Sequence, residues 1–312
     1  MKRIGIIICL IFIINIIRSQ EINYIPYYQL VNKAEIARCQ QNYDSALVYY
    51  WQAFQIVDYI LINDLRNFSQ CALIEKKDSL IYFVMEQCIK QIVPLSGIFG
   101  IDTIFDKYKY TDKWKWCMEQ EQANAEKYRK KYECPYTEIM DSLIINDQKV
   151  RTKGYWFSRI FPKSKIAKKR RQEWLSVDSF SRTVIDELVA KYDYPNERNG
   201  CNNNSCLQMN MVVIYHYDDT NFLRNVEYKA LIEGKLSPHC YARKARRVAV
   251  VFNMPVPHYT YFKTMTPDEI AQVDKYRYEI GLPSVEEEKI INQCYYEKYL
   301  KDKKEKKKKK KH

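Results

Sequence analysis

The sequence predicts an all-α protein, and three observations carry the prediction. A segment recurs at an interval of 34 residues: Asn42-Tyr43-Asp44-Ser45-Ala46-Leu47 is echoed by Lys76-Lys77-Asp78-Ser79-Leu80-Ile81. An interval of that length fits one helix-turn-helix unit in a stack. Glycine is rare, seven in 312 residues, which disfavours a turn-rich β fold. Apolar residues recur at helical spacing between recognisable helix starts.

The chain begins with a predicted signal peptide, residues 1–19. Lys2 and Arg3 precede an apolar run of 14 residues, Ile4 to Ile17, broken only by Asn15. That run falls short of the ~20 residues that a membrane-spanning helix needs. Ser19 offers a small residue for cleavage, although Ile17 is a poor match two positions earlier. The expected location is periplasmic or extracellular. An uncleaved anchor is the alternative.

Residues 20–133 are expected to hold the repeats. A first helix is predicted from Ile25 to Gln40, with Leu30, Ala34, Ile36 and Ala37 as its apolar stripe. Asp44 is expected to cap the second helix, with Leu47, Tyr50, Trp51 and Phe54 inward. Tyr43, Ala46, Tyr50 and Ala53 fall at the aromatic and small positions of the tetratricopeptide pattern, which this region resembles. In the second unit Asp78 takes the capping place, but Leu80 and Gln87 stand where small residues are expected. Asp112 falls at the same interval without the matching flank and reads as coincidence. A helix from Asp112 to Tyr132, with Trp114, Met118, Ala123 and Tyr128 inside, is expected to close the stack. An ordinary helical bundle is the alternative.

Cys134-Pro135 marks a boundary, since the residue before proline avoids helical geometry. Residues 134–296 are expected to form a second helical domain. Its first helix runs from Thr137 to Arg151, with Ile139, Met140, Leu143 and Ile144 on one face. The stretch from Thr152 to Arg171 is expected as an exposed loop. It carries Trp156, Phe157, Ile160 and Phe161, then Lys163, Lys165, Lys168, Lys169, Arg170 and Arg171. Such a stretch suits an anionic membrane or nucleic-acid bases. An exported chain seldom meets nucleic acid, so no nucleic-acid partner is expected. Val177, Phe180, Val184, Ile185, Leu188 and Val189 form the next apolar face. Leu207 to Tyr215 reads as a central buried helix, and Phe222 to Glu233 as a helix stopped by Gly234. Ser237-Pro238, Thr266-Pro267-Asp268-Glu269, and Ser284 with Glu287 start the last helices.

The net charge of +13 is concentrated towards the C-terminus, where residues 301–312 hold nine lysines against one Asp and one Glu. Residues 297–312 are expected to be a disordered basic tail, with weak anionic-surface contact through Lys301 to Lys311. Nine cysteines follow the leader, an odd number. A chain of this size and helical periodicity does not need a disulfide framework, and buried cysteine acts as a small apolar group. Cys201 and Cys206, with His239, Cys240 or His258, suggest zinc only weakly, since no second pair follows. No metal and no cofactor are expected. Neither a glycine-rich phosphate loop, a serine elbow nor an HExxH motif is present.

Short motifs follow one another through residues 137–289. They are Asp147-Gln148-Lys149-Val150-Arg151, Asp178, Tyr192-Asp193-Tyr194-Pro195, His216, Gly234, Tyr241-Ala242, Arg247, Asp274, Arg277 and Ile280-Gly281-Leu282-Pro283. In this order the second half resembles an uncharacterised bacterial family, domain of unknown function 6624. Secreted members, in Bacteroidota especially, often carry a repeat-like helical region ahead of it. The family tends to have glycine at Asp193, asparagine at Ser181 and an Asp-Arg pair at Arg246-Arg247. A Gln-x-Tyr-Gly-Thr segment gives way here to Pro257-His258-Tyr259-Thr260. The family has no established activity, so the resemblance implies fold and context only.

The cluster with most chemical potential is His216 with Asp218 and Asp219, since a histidine beside a carboxylate acts as a general base or metal ligand. The resemblance suggests Arg151, Asp178 and Arg277 as further members of a polar pocket. Capping of a helix C-terminus by His216 is the alternative. The leading functional expectation is a protein- or peptide-binding module. The rival is an enzyme or small-ligand domain around His216.

Overall fold

The computed structural model describes residues 22–100, 103–133, 136–152, 160–199, 226–251, 257–262 and 264–309. Among them every regular element is helical, so the protein is all-α. No helix among the described residues is long and apolar enough to cross a membrane.

Four helices form two consecutive hairpins: α1 (Ile25–Cys39), α2 (Tyr43–Gln55), α3 (Ile62–Ile74) and α4 (Asp78–Gln91), each packed on the next. Pro26 in the first turn suits the start of α1, because its missing N–H has no helical partner to lose. The turns that close α1 and α3 are alike. Asn42 N–H donates to the Ala37 carbonyl at 2.8 Å, and Lys77 N–H to the Ala72 carbonyl at 2.8 Å. Between them Gln41 and Lys76 take left-handed backbone, φ 61° and 54°.

Matching these turns sets the repeat at 35 residues, one more than the sequence interval. One residue turns a helix by about 100°. The counterparts of Ala46 and Ala53 are therefore Ile81 and Cys88, all four wholly buried, and not Leu80 and Gln87. The caps differ from expectation for the same reason. Asn42, not Asp44, accepts the Ser45 N–H at 3.2 Å. Asp78 is already inside α4 and makes no cap hydrogen bond. Both carboxylates still lie in a first turn, where the helix dipole favours them.

A third unit follows: α5 (Leu95–Phe99), a 3-10 helix (Thr103–Tyr110) and α6 (Asp112–Ala123), with α6 packed on α4. Asp112 opens α6 as Asp78 opens α4, whereas Asp44 is the second residue of α2. The expected long helix breaks at Asn124, and α7 (Ala125–Tyr132) follows. Cys117 is the buried residue of α6; Met118 and Ala123, expected inside, are exposed.

Next come α8 (Thr137–Thr152) and α9 (Lys165–Tyr192), an antiparallel pair. The Tyr136 hydroxyl donates to the Leu188 carbonyl at 3.1 Å, and Trp174 Nε1 to the Val150 carbonyl at 2.9 Å. The basic cluster is not all loop. Ser164 accepts the Ala167 N–H at 3.1 Å and starts α9, so the bases from Lys165 to Arg171 ride its first turns. Lysine, arginine and alanine are good helix formers, which explains the outcome. Phe180, expected inside, is 60 % exposed. The buried stripe includes Ser181, Ile185 and Leu188, and its polar member hides it from an apolar-only reading.

After a short 3-10 turn (Glu197–Asn199) come α10 (Tyr228–Ile232), α11 (Pro238–Val251), α12 (Pro267–Glu279) and α13 (Val285–Lys309). Thr266 with Glu269 and Ser284 with Glu287 both form reciprocal capping boxes. Helical backbone continues to Lys309, within the tail expected to be disordered, because lysine and glutamate extend a helix that is already nucleated. Trp156, Phe157, Cys201, Cys206 and the segment from Leu207 to Tyr215 lie outside the described residues.

Helix α1 joins the two halves. On one side it packs against α2; on the other it meets the C-terminal elements. Tyr24 N–H donates to the Ile232 carbonyl at 2.7 Å, and Asn32 Nδ2 to the Gly281 carbonyl at 2.9 Å. Leu231, Ile280 and Leu282 belong to the same apolar core as Tyr27, Tyr50 and Phe68. A smaller core holds α8 to α9 through Tyr136, Met140, Leu143, Ile185 and Leu188.

Candidate functional site

Where the halves meet, a cavity of about 550 Å³ opens between α1, α3, the turn at Glu197, the start of α11 and helix α13. Its polar lining includes Asn32, Glu35, Asp64, Asn67, Glu197 and His239; Val31, Leu61 and Ile291 supply apolar wall. Val31 and Glu35 share a face because they lie one helical turn apart on α1. Asp64 and Asn67 do the same on α3. Glu197 is held by the free N-terminus of α3, accepting the Ile62 N–H at 2.9 Å.

The three carboxyl groups have unlike surroundings. Glu35 is satisfied: it accepts from Arg38 at 2.7 Å, Asn67 at 2.8 Å, Tyr295 at 2.9 Å and the Tyr50 hydroxyl. Burial alone would raise its carboxyl; the Arg38 bond and charge outweigh that and hold it below the usual range. Asp64 is 8 % exposed and accepts from the Tyr27 hydroxyl at 2.5 Å. Burial pushes its carboxyl up to about 8, despite that bond, with help from the charges of Glu35 and Glu197. Burial likewise raises Glu197, opposed by the Ile62 N–H and by Lys131. Desolvation holds the His239 imidazole below its usual range, against the pull of Glu288, whose carboxylate lies 3.5 Å from Nδ1. No group of three His, Cys, Asp or Glu among the described residues is arranged to hold a metal ion.

The residues singled out from sequence fall in different places. Arg151 and Asp178 do meet: Arg151 Nη2 is 3.0 Å from Asp178 Oδ1, and its Nε is 2.5 Å from Asp147 Oδ1. This ion pair bridges α8 and α9. Beside it lies a second cavity of about 480 Å³, lined in part by Lys149, Val150, Phe180 and Ser181. Arg277 is buried in the corner between α12 and α13, donating to the Pro283 carbonyl at 2.7 Å and to Glu288 at 2.6 Å. It approaches the larger cavity from behind, through Glu288 and His239. His216, Asp218 and Asp219 lie outside the described residues.

Glu35, Asp64 and Glu197 went unnoticed in the sequence. Two left a trace. Glu35 follows Tyr28 and Val31 at helical spacing, and Asp64 precedes Phe68 by one turn, so each puts a charge on a buried stripe. Comparisons with family models, curated proteins and solved structures find no match for this chain. The family resemblance therefore rests on the quoted motifs alone.

Proposed function

We propose that this chain is an exported helical module that binds a protein or peptide, and that the cavity between its halves takes a lysine or arginine side chain of that partner. The carrying observation is Asp64: a buried acid hydrogen-bonded to a tyrosine, with no cation beside it among the described residues. A buried carboxylate without a countercharge is unfavourable, and a ligand cation removes the penalty. Glu197 borders the same space. The apolar wall of Val31, Leu61 and Ile291 suits the aliphatic stem behind a cationic head. The stacked hairpins support the tetratricopeptide-like reading of α1 to α6, and the apolar leader supports export. The enzyme reading around His216 gains less, because Arg151 and Asp178 bind each other and Arg277 has separate partners.

The pH dependence has a definite sign. A ligand cation prefers ionised Asp64, whose ionised fraction grows as pH rises through about 8. Calorimetric titration with a lysine-containing peptide library, and with the same peptides carrying norleucine, tests the reading. Lysine peptides should bind about tenfold more tightly than their norleucine twins, and more tightly at pH 8.5 than at pH 6.5. Asp64→Asn should erase both differences. Equal affinity for lysine and norleucine peptides would refute the proposed site.

A further inference from the structure

Two half-buried cysteines lie where the last helix of the chain packs on the first. Cys39 ends α1 beside Arg38 and one turn beyond Glu35, and Cys294 lies in α13 beside Tyr295, near enough to raise the Cys39 thiol. Their neighbours fix the approach. The Arg38 guanidinium sits over the Tyr295 ring, 5.2 Å from its centre, and the Tyr295 hydroxyl donates to Glu35 at 2.9 Å. Along this contact α13 packs on α1. The other described cysteines differ: Cys71, Cys88 and Cys117 are buried, and Cys240 lines the cavity. Exchange with an external disulfide requires a thiol that the donor can reach.

We propose that Cys39 and Cys294 form a disulfide that ties the last helix of the chain to the first. The oxidant is a donor disulfide, either oxidised glutathione or the active disulfide of a thiol oxidoreductase. One cysteine thiolate attacks a donor sulfur, and one donor thiolate leaves. The other cysteine thiolate then attacks the mixed disulfide and expels the second donor thiolate. The protein gives up two protons and two electrons, and the donor is reduced to two thiols. Burial, with the neighbouring Cys294, pushes the Cys39 thiol up to about 12, so uncatalysed exchange quickens as pH rises. The bond would close a loop spanning nearly all the described chain, the kind of closure that most restricts an unfolded ensemble. It would also fix Ile291 and Tyr295, which border the cavity, but it stands whether or not a cation binds there.

The test uses the full chain in glutathione buffers from fully reduced to fully oxidised. Free thiols are then blocked with N-ethylmaleimide, and the non-reduced digest is mapped by mass spectrometry. In oxidised buffer the peptides of Cys39 and Cys294 should appear joined, about 2 Da lighter than the two thiol peptides together, with both alkylation sites lost. Reduced buffer should restore both sites, and Cys294→Ser should abolish the joined species. Full alkylation of both residues in oxidised buffer, or their recovery joined to other cysteines, would overturn the assignment. The mapping is made on the unaltered chain, so it does not depend on any variant folding.

Discussion

One helix-ending turn is built from different residues in the two halves of the molecule. In the repeat half Gln41, Lys76 and Ile92 take left-handed backbone, φ 61°, 54° and 54°; in the C-terminal half Gly234 and Gly281 take it, at 73° and 77°. The hydrogen bonds are the same. Val93 N–H reaches the Cys88 carbonyl at 2.8 Å, Lys235 N–H the Ala230 carbonyl at 2.8 Å, and Leu282 N–H the Arg277 carbonyl at 2.9 Å. Left-handed backbone costs a residue with a side chain about 1–2 kcal/mol, and the repeat half bears that three times. Backbone conformation is therefore not what demands glycine. A Cβ on Gly234 would lie 2.4 Å from the Tyr24 ring, and one on Gly281 would lie 2.9 Å from Tyr28 Cβ. Glycine stands where the C-terminal half comes closest to the tyrosines at the start of α1.

The sharpest way to break this comparison is Gly234→Ala. Strain and overlap with a buried ring together should lower stability by about 3 kcal/mol or more, read from the urea midpoint. Gly97→Ala is the control: its nearest neighbour is 3.9 Å away, and a change within about 0.5 kcal/mol is expected. Equal losses at the two sites would show that close approach is not the cause.

The parts legible in the sequence were those decided within a few residues. Thr266 with Glu269, Ser284 with Glu287, and Pro238 after Ser237 all start helices where expected, because a cap is a local hydrogen bond. The repeat register was missed by one, because Asp44 and Asp78 match by identity while the turns match Asn42 with Lys77. The cavity was not legible. Its walls come from α1, α3, Glu197, His239 and Tyr295, segments that only tertiary packing brings together. Its local signals were single acids on otherwise apolar stripes, at Glu35 and Asp64, and a lone acid on a stripe does not name its neighbours.

Asp193 sharpens the comparison from the other side. It takes φ 67° and ψ 175°, a conformation that is almost exclusively glycine's. Its carboxylate offsets part of the strain, accepting its neighbour Tyr194's N–H at 2.7 Å and pairing with Lys235 at 2.6 Å. The Asp193 carboxylate is more than half exposed, which weakens the pair, and the more buried Lys235 keeps Glu233 at 2.6 Å without it. Asp193→Gly is expected to raise stability by about 1 kcal/mol, the relieved strain exceeding the lost contacts. A lower midpoint would mean that the side chain outweighs the backbone.

The smallest effect tests the repeat itself. If the turns at Gln41 and Lys76 are equivalent at 35 residues, Gln41→Gly and Lys76→Gly should behave alike. Each relieves left-handed strain of about 1–2 kcal/mol but gives the unfolded chain more freedom, worth about 0.4–1 kcal/mol. A gain of about 0.5 kcal/mol is expected at each site, and about 1 kcal/mol in the double variant, since the turns are independent. Opposite signs at the two positions would separate the turns and dissolve the structural repeat. Equal gains would show that the repeat half tolerates side chains there because its turns have room, which Gly234 and Gly281 lack.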